Sequence, residues 1–193
     1  YWMHNGFVNI DNVKMSKSLG NFITVHDALK TIDGQVLRFF FATQHYRKPI
    51  NFTEKAVRDA ETNLKYLRNT YEQPFTGEVD PADLQSFVDK FIAAMDEDIN
   101  AANGITVVFE LAKWINSGHY NQDVKDALTK MLEVFGVVFV EEVLDADIEA
   151  LIAERQEARA KKDFARADAI RDELAAQGIK LLDTKEGVRW TRD

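Results

Sequence analysis

A chain of 193 residues, 46% hydrophobic and 11% aromatic, is long enough for one or two packed domains and too apolar to be disordered. It contains no cysteine, which excludes disulfides and cysteine-ligated metal sites, and His4, His26, His45 and His119 stand too far apart for a local metal motif. The net charge of -8 speaks against a nucleic-acid binder until it is divided along the chain. Residues 1–71 carry 10 basic and 6 acidic side chains, residues 72–146 carry 4 and 15, and residues 147–193 carry 10 and 11. Phosphate contacts are therefore expected at the two ends.

In chain order, Phe7 to Ile10 reads as a strand, Asp11-Asn12 as a turn, and the following residues through Gly20-Asn21 as a polar loop. Val25 to Leu29 opens a short helical stretch that ends near Asp33-Gly34. The apolar run Val36 to Thr43 is read as a helix with Leu37, Phe40 and Phe41 on one face, and Pro49 to Phe52 as an extended link. Thr53 is placed to cap a long helix whose stripe is Val57, Ala60, Leu64, Leu67 and Tyr71, with Glu61 four residues before Lys65 as a supporting pair. Pro74 to Val79 is a linker.

Asp80 as cap and Pro81 at the first helical position open the next helix. Its apolar face is Leu84, Phe87, Val88, Phe91, Ile92, Met95 and Ile99, and Gly104 breaks the pattern. A third helix turns Val108, Leu111, Ala112 and Ile115 inward. A fourth, from Asn121, does the same with Val124, Leu128, Met131, Leu132, Phe135 and Val138. These segments predict an antiparallel helical bundle. From Asp147 come helices over Ile148–Ala160 and Phe164–Gln177, then two short strands, Ile179–Asp183 and Val188–Arg192, joined through residues 184–187. The fold class is thus mainly α, with a small C-terminal α/β unit. Trp190 is expected in the core of that unit.

No apolar run reaches the roughly 20 residues needed to span a bilayer, and no signal peptide is visible. A cytoplasmic location is expected. The first residue is Tyr1 rather than Met, which leads us to expect part of a longer or processed chain.

The most informative stretch is Lys14-Met15-Ser16-Lys17-Ser18-Leu19-Gly20-Asn21. Two lysines among small hydroxyl residues suit a loop that swings over phosphates and neutralises the charge building on departing pyrophosphate. No glycine-rich cradle precedes Lys14, so this is not a P-loop. Taken alone, a lysine–serine string is also ordinary surface chemistry. The eight-residue form after a strand resembles the KMSKS signature of class I aminoacyl-tRNA synthetases. The flanks Tyr1 to Gly6, Asn21 to Val25, His45 to Phe52 and Met95 to Asn100, and the stretch from Arg155 to Trp190, resemble the cysteinyl-tRNA synthetase family, in its carboxy-terminal part.

That resemblance implies a division into 1–22, the end of the catalytic domain with the KMSKS loop, 23–73, a connecting helical region, 74–146, a bundle of the DALR type, and 147–193, an anticodon-recognition domain. It implies ATP-dependent activation of cysteine and transfer to tRNA-Cys by a monomer. Magnesium would accompany ATP, with Lys14 and Lys17 catalytic and Lys17 toward ATP. The zinc that holds cysteine in this family, and the family's His-Ile-Gly-His signature, are expected upstream of Tyr1, so the chain alone is expected to be inactive.

At the other end, Arg155 and Arg159 are four residues apart on one helix, and Phe164 and Asp168 are four apart at the start of the next. In a helical hairpin these side chains would face a common groove, offering guanidinium forks, an aromatic face and a carboxylate to loop bases. Asp183, at the end of the first strand, would add a second carboxylate. The competing reading is a salt-bridged surface, with Arg155 beside Glu154 and Asp168 beside Arg171. The resemblance places Arg155, Arg159, Phe164, Asp168 and Asp183 at the anticodon loop. Phe164 stands where the family often has Trp, which keeps stacking and loses the indole donor. Arg38, His45, Arg47 and Lys48 are expected near the inner side of the tRNA. Alternatives are a tRNA- or RNA-binding module without catalysis, and a cysteine ligase with a small-molecule acceptor, which would have no use for an anticodon domain. A purely structural helical protein would leave Lys14 to Asn21 unexplained.

Overall fold

The computed structural model describes the backbone of residues 1–139, 146–184 and 187–192, and within these all side chains except those of 146–147, 182–184, 187, 189 and 191–192. The chain forms two compact units, Tyr1–Phe139 and Val140–Asp193.

The first unit opens with β1 (Val8–Ile10), which turns back on itself through Asp11 and Asn12 into β2 (Val13–Lys14). Both turn residues have positive φ, 47° and 67°, the geometry that lets a two-residue loop follow the strand twist. A 3-10 turn, Lys17–Leu19, follows. Then come α1 (Val25–Ala28) and α2 (Gly34–Ala42), each started by a capping side chain, Thr24 and Asp33. Asp33 opens α2 rather than closing the helix before it. The extended link expected at Pro49–Phe52 is a strand: β3 (Ile50–Phe52) pairs in parallel with β1, giving the order β2-β1-β3. A parallel partner distant in sequence leaves no local signal, and so the link looked free.

Four helices make the bundle: α3 (Glu54–Tyr71), α4 (Pro81–Asp96), α5 (Ala101–Asn116) and α6 (Gln122–Val134). Thr53, Asp80, Asn100 and Asn121 cap them, each accepting a backbone N–H of the first turn. The core holds Phe39 and Phe40 from α2, Leu64 and Leu67 from α3, Val108, Leu111, Ala112 and Ile115 from α5, and Val124, Leu128 and Leu132 from α6. Tyr120, also buried, donates its hydroxyl to Tyr71 O at 2.7 Å, and Asn116 Nδ2 donates to Tyr66 Oη at 2.8 Å, tying α3 to the far end of α5.

Several expectations are corrected. On α2 the buried residues are Val36, Leu37, Phe39 and Phe40, and Phe41 is only partly covered. Gly104 does not interrupt a helix. It lies in the first turns of α5, where an added Cβ would stand 2.6 Å from Met95 Sδ, so α4 and α5 approach because it has no side chain. On α4 only Phe91 is buried, and Ile92 is half exposed. Its apolar face is split: one part packs on α5, and the other lines an open groove of about 410 Å3 against Met131 and Val134 of α6. Val138 is exposed while Val137 is buried, because α6 ends at Val134 and the chain turns at Phe135-Gly136. The helix-surface pairs formed on α3 are Glu54–Arg58, Lys55–Asp59 and Arg68–Glu72 rather than Glu61–Lys65.

The second unit is α7 (Ala146–Ala160), a turn at Lys161-Lys162, α8 (Phe164–Ala176), and the antiparallel pair β4 (Ile179–Thr184) and β5 (Gly187–Arg192). Asp163 caps α8 by accepting Arg166 N–H. Ile148, Ile170, Leu174 and Ile179 form its core, with Leu151, Ile152, Leu181 and Trp190 packed around them. Trp190 is a core residue, as expected. The expected turn between the strands includes residues 185–186, which lie outside the described residues.

Candidate functional site

The lysine loop is built from the sheet outward. Met15 N–H donates to Val8 O at 2.9 Å, extending the hairpin by one bond. Asn12 and Asn51 exchange two hydrogen bonds, 2.7 Å from Asn12 N to Asn51 Oδ1 and 2.9 Å from Asn51 Nδ2 to Asn12 Oδ1, and these pin the turn to β3. At the loop's other end Asn21 Oδ1 accepts Ser16 N–H at 2.9 Å, and Asn21 Nδ2 donates to Lys14 O at 3.3 Å. The Asn21 side chain thus closes the base of the loop, while Asn12 and Asn51 anchor the turn before it.

Above that base the loop is open. Lys14, Lys17 and Ser18 are exposed, and Ser16 Oγ and Ser18 Oγ lie 2.8 Å apart. Lys14 Nζ stands 3.7 Å from the centre of the Phe7 ring, and Lys17 Nζ stands 5.4 Å from that of Phe22. Such contacts at exposed rings contribute about 0.5–1 kcal/mol. A phosphate oxygen is a far stronger partner for an ammonium group, so the lysines are held loosely enough to leave. The arrangement can present two cations to a polyphosphate, Lys14 from the end of β2 and Lys17 from the 3-10 turn.

The helical hairpin α7–α8 carries the other candidates. Arg159, Phe164 and Asp168 are exposed, Phe164 at 62%. Arg155 is buried at 5%, so its four-residue spacing from Arg159 aligns the two along the helix without giving both to solvent. Asp183 sits on β4 opposite Val188, and its side chain lies outside the described residues. Asp168 pairs with Arg171 at 3.6 Å, part of the competing salt-bridged reading. Arg166 Nε donates to Glu154 Oε1 at 2.8 Å and so bridges the two helices. It holds the Glu154 carboxyl below the usual carboxylate range.

Among the basic residues of the first unit, Arg38 lays its stem against Gly136, and His45 stacks on Tyr46 with ring centres 5.3 Å apart. Lys48 is exposed. Arg47 is engaged within the protein: Nε lies 2.6 Å from Asp98 Oδ2, Nη2 donates to Asp98 Oδ1 at 2.9 Å, and Tyr46 Oη donates to the same oxygen at 2.7 Å. These bonds, from Arg47 first and then Tyr46, hold the Asp98 carboxyl below its ordinary range, and the bond to Asp98 raises the Tyr46 hydroxyl above its own. From sequence, Asn12 and Asn21 read only as turn and loop residues, and Asn51 and Asp98 only as members of longer runs, with no anchoring role for any of them. Asn12 meets Asn51 across 39 residues and Asp98 meets Arg47 across 51.

Among the described residues no three His, Asp or Glu converge as a metal site, so the zinc implied by the resemblance finds no fit there. No helix of the described residues is long and apolar enough to cross a membrane.

Family models match three stretches of the chain. Residues 1–62 match the tRNA synthetases class I (C) catalytic domain, residues 90–141 the DALR domain, and residues 141–190 the cysteinyl-tRNA ligase anticodon binding domain. Over all 193 residues the chain is 83% identical to a cysteine–tRNA ligase of Streptococcus pneumoniae serotype 4, 80% to one of Streptococcus mutans serotype c, and 72% to one of Streptococcus agalactiae serotype III. It spans 43% of the length of each of these relatives.

Proposed function

We propose that this chain, which belongs to the cysteinyl-tRNA synthetase family and matches its carboxy-terminal part, supplies the ATP loop and the tRNA-binding elements of an enzyme that activates cysteine with ATP and transfers it to tRNA-Cys. The observation that carries the reading is the open lysine hairpin, closed at its base by Asn21, in a chain 83% identical over its whole length to a named cysteine–tRNA ligase.

In this reading the cysteine carboxylate attacks the α-phosphate of ATP and pyrophosphate leaves. Lys17, with Lys14, leaves its aromatic ring for the phosphates and balances the charge gathering on the leaving group. The serine hydroxyls of Ser16 and Ser18 add donors, and Met15 stays with the strand. A 2′- or 3′-hydroxyl of the tRNA end then attacks the adenylate carbonyl and releases AMP. Magnesium would accompany ATP, and zinc would belong to ligands beyond the described residues.

We assign residues 1–22 to the catalytic domain, 23–73 to the connecting region, 74–146 to the bundle and 147–193 to anticodon recognition. Arg159, Phe164 and Asp168 are the side chains that the hairpin offers to anticodon bases. Arg155, on α7, and Asp183, on β4, complete the set assigned to the anticodon loop. A cytoplasmic monomer suits this role.

The test is an electrophoretic shift of the 193-residue chain with tRNA-Cys and one non-cognate tRNA at two salt concentrations. Binding should weaken with salt while the preference for tRNA-Cys persists, since phosphate contacts are screened and base contacts are not. Loss of the preference with equal binding of both would leave only a non-specific RNA module. The same chain should show no cysteine-dependent pyrophosphate exchange.

A further inference from the structure

The corner between α4 and α5 is held in a conformation its residues do not favour. Asp98 and Ile99 both have positive φ, 58° and 52°. A β-branched residue in the left-handed region is a clear outlier, and such strain persists only where surrounding contacts impose it. Burial does not impose it here, because Ile99 is 52% exposed. Backbone bonds hold the corner locally, Asp98 N–H to Asp96 O and Ile99 N–H to Met95 O, both at 3.0 Å, and Arg47 and Tyr46 tie it to a distant segment through bonds to both carboxylate oxygens of Asp98.

Residues 46 and 47 are in turn joined to the strand that carries the lysine loop. Gly6 N–H donates to Tyr46 O at 2.7 Å, and Ile50 N–H donates to Phe7 O at 2.8 Å. A Cβ on Gly6 would fall 2.4 Å from Lys48 O, so the two segments touch backbone to backbone. From Gly6 the chain runs directly into β1, and Met15 is bonded to β1 at Val8. Hydrogen bonds joined by short stretches of covalent chain therefore lead from the bundle corner to the base of the loop. An exposed ion pair adds little to stability. Placement of one element against the other is what this one supplies.

We propose that Asp98 is a positioning residue that couples the helical bundle to the strand bearing the lysine loop, and that it governs transfer to tRNA rather than activation of the amino acid. This rests on the function proposed above. The hairpin itself is held by β3, Asn51 and Asn21, none of which touches Asp98, so activation does not depend on the clamp. Seating of the tRNA acceptor end beside that strand is the step assigned to the clamp.

The test uses the full-length protein as wild type, D98N, D98E and Y46F, measuring cysteine-dependent pyrophosphate exchange, cysteinylation of tRNA and the melting temperature. D98N should keep exchange within about twofold and lower kcat for cysteinylation about tenfold, a modest cost for a misplaced reactant. Its KM for tRNA should stay within about twofold. D98E should recover most of the loss, and Y46F should fall between. Equal loss in both reactions, loss in neither, or a rise in KM with kcat unchanged would overturn the proposal. Where D98N lowers the melting temperature, Y46F, which removes one hydroxyl, decides by the same criteria. A wild-type protein without cysteine-dependent exchange would instead refute the underlying function, and an active wild type with unaltered variants would refute the coupling alone.

Discussion

The lysine hairpin and the helical hairpin α7–α8 both carry charged side chains, the first on a strand end and turn and the second on helices, and they hold those side chains differently. In the first, Lys14 and Lys17 are exposed together above a base closed by side-chain bonds. In the second, candidates at equal spacing are divided: Arg155 is buried and Arg159 exposed. A loop has no core to serve, so its residue types go directly to what it can bind. A helix must give one face to the interior, and a four-residue step near the edge of that face can fall on either side of it.

The largest effect should come from the first hairpin. Lys17→Ala in the full-length protein should slow pyrophosphate exchange by about 100-fold or more, the usual scale for removing a cation or donor aimed at developing charge. A change of less than about threefold would mean that Lys17 does not act on the phosphates.

Next in size is the stability of the second unit. Ile170 is fully buried in a core of few residues. Ile170→Ala should destabilise that unit by about 2–5 kcal/mol and separate its melting from that of the bundle in calorimetry. A single unshifted transition would contradict the division into two cores.

Smaller again are the effects at the side chains proposed to read bases. Arg159→Ala should lower cysteinylation about tenfold, the cost of one bidentate base contact, with exchange preserved. Phe164→Ala should cost a similar or smaller factor, as loss of one stacking face does. Equal loss of exchange would move Arg159 out of RNA recognition.

The smallest effect is an expected constancy with pH. The Asp98 carboxyl is depressed by its bonds, so its contribution is present above its unfolded value near 3.9 and fades only as pH falls through the lower folded value. The Tyr46 hydroxyl is raised, so its contribution is present below about 10 and fades as pH rises through the higher folded value. The ratio of D98N to wild-type cysteinylation should therefore stay level from about pH 5 to about pH 9. A ratio that drifts toward one as pH falls from about 7 to about 5 would contradict this charge assignment.

Local rules made most of the fold legible. Thr53, Asp80 and Asn121 cap the helices they precede, and the stripes on α3, α5 and α6 face the core. What escaped depends on distance along the chain. β3 was hidden because its partner is forty residues away, and Asp98 because Arg47 is fifty-one residues away. Gly104 misled because a glycine reads the same whether it ends a helix or lets two helices meet. The lysine loop was legible as a resemblance, while its anchoring by Asn12, Asn51 and Asn21 needed three dimensions.

The central claim is that one chain joins an ATP loop to a tRNA-reading unit for cysteine. The most direct measurement is charging of tRNA-Cys by the full-length protein with each of cysteine, serine and no amino acid. The account predicts ATP-dependent charging with cysteine alone, abolished for a tRNA with an altered anticodon loop or reduced there about tenfold or more, as lost base contacts imply. Charging that ignores the anticodon loop, or that fails with cysteine while ATP is consumed, would contradict it.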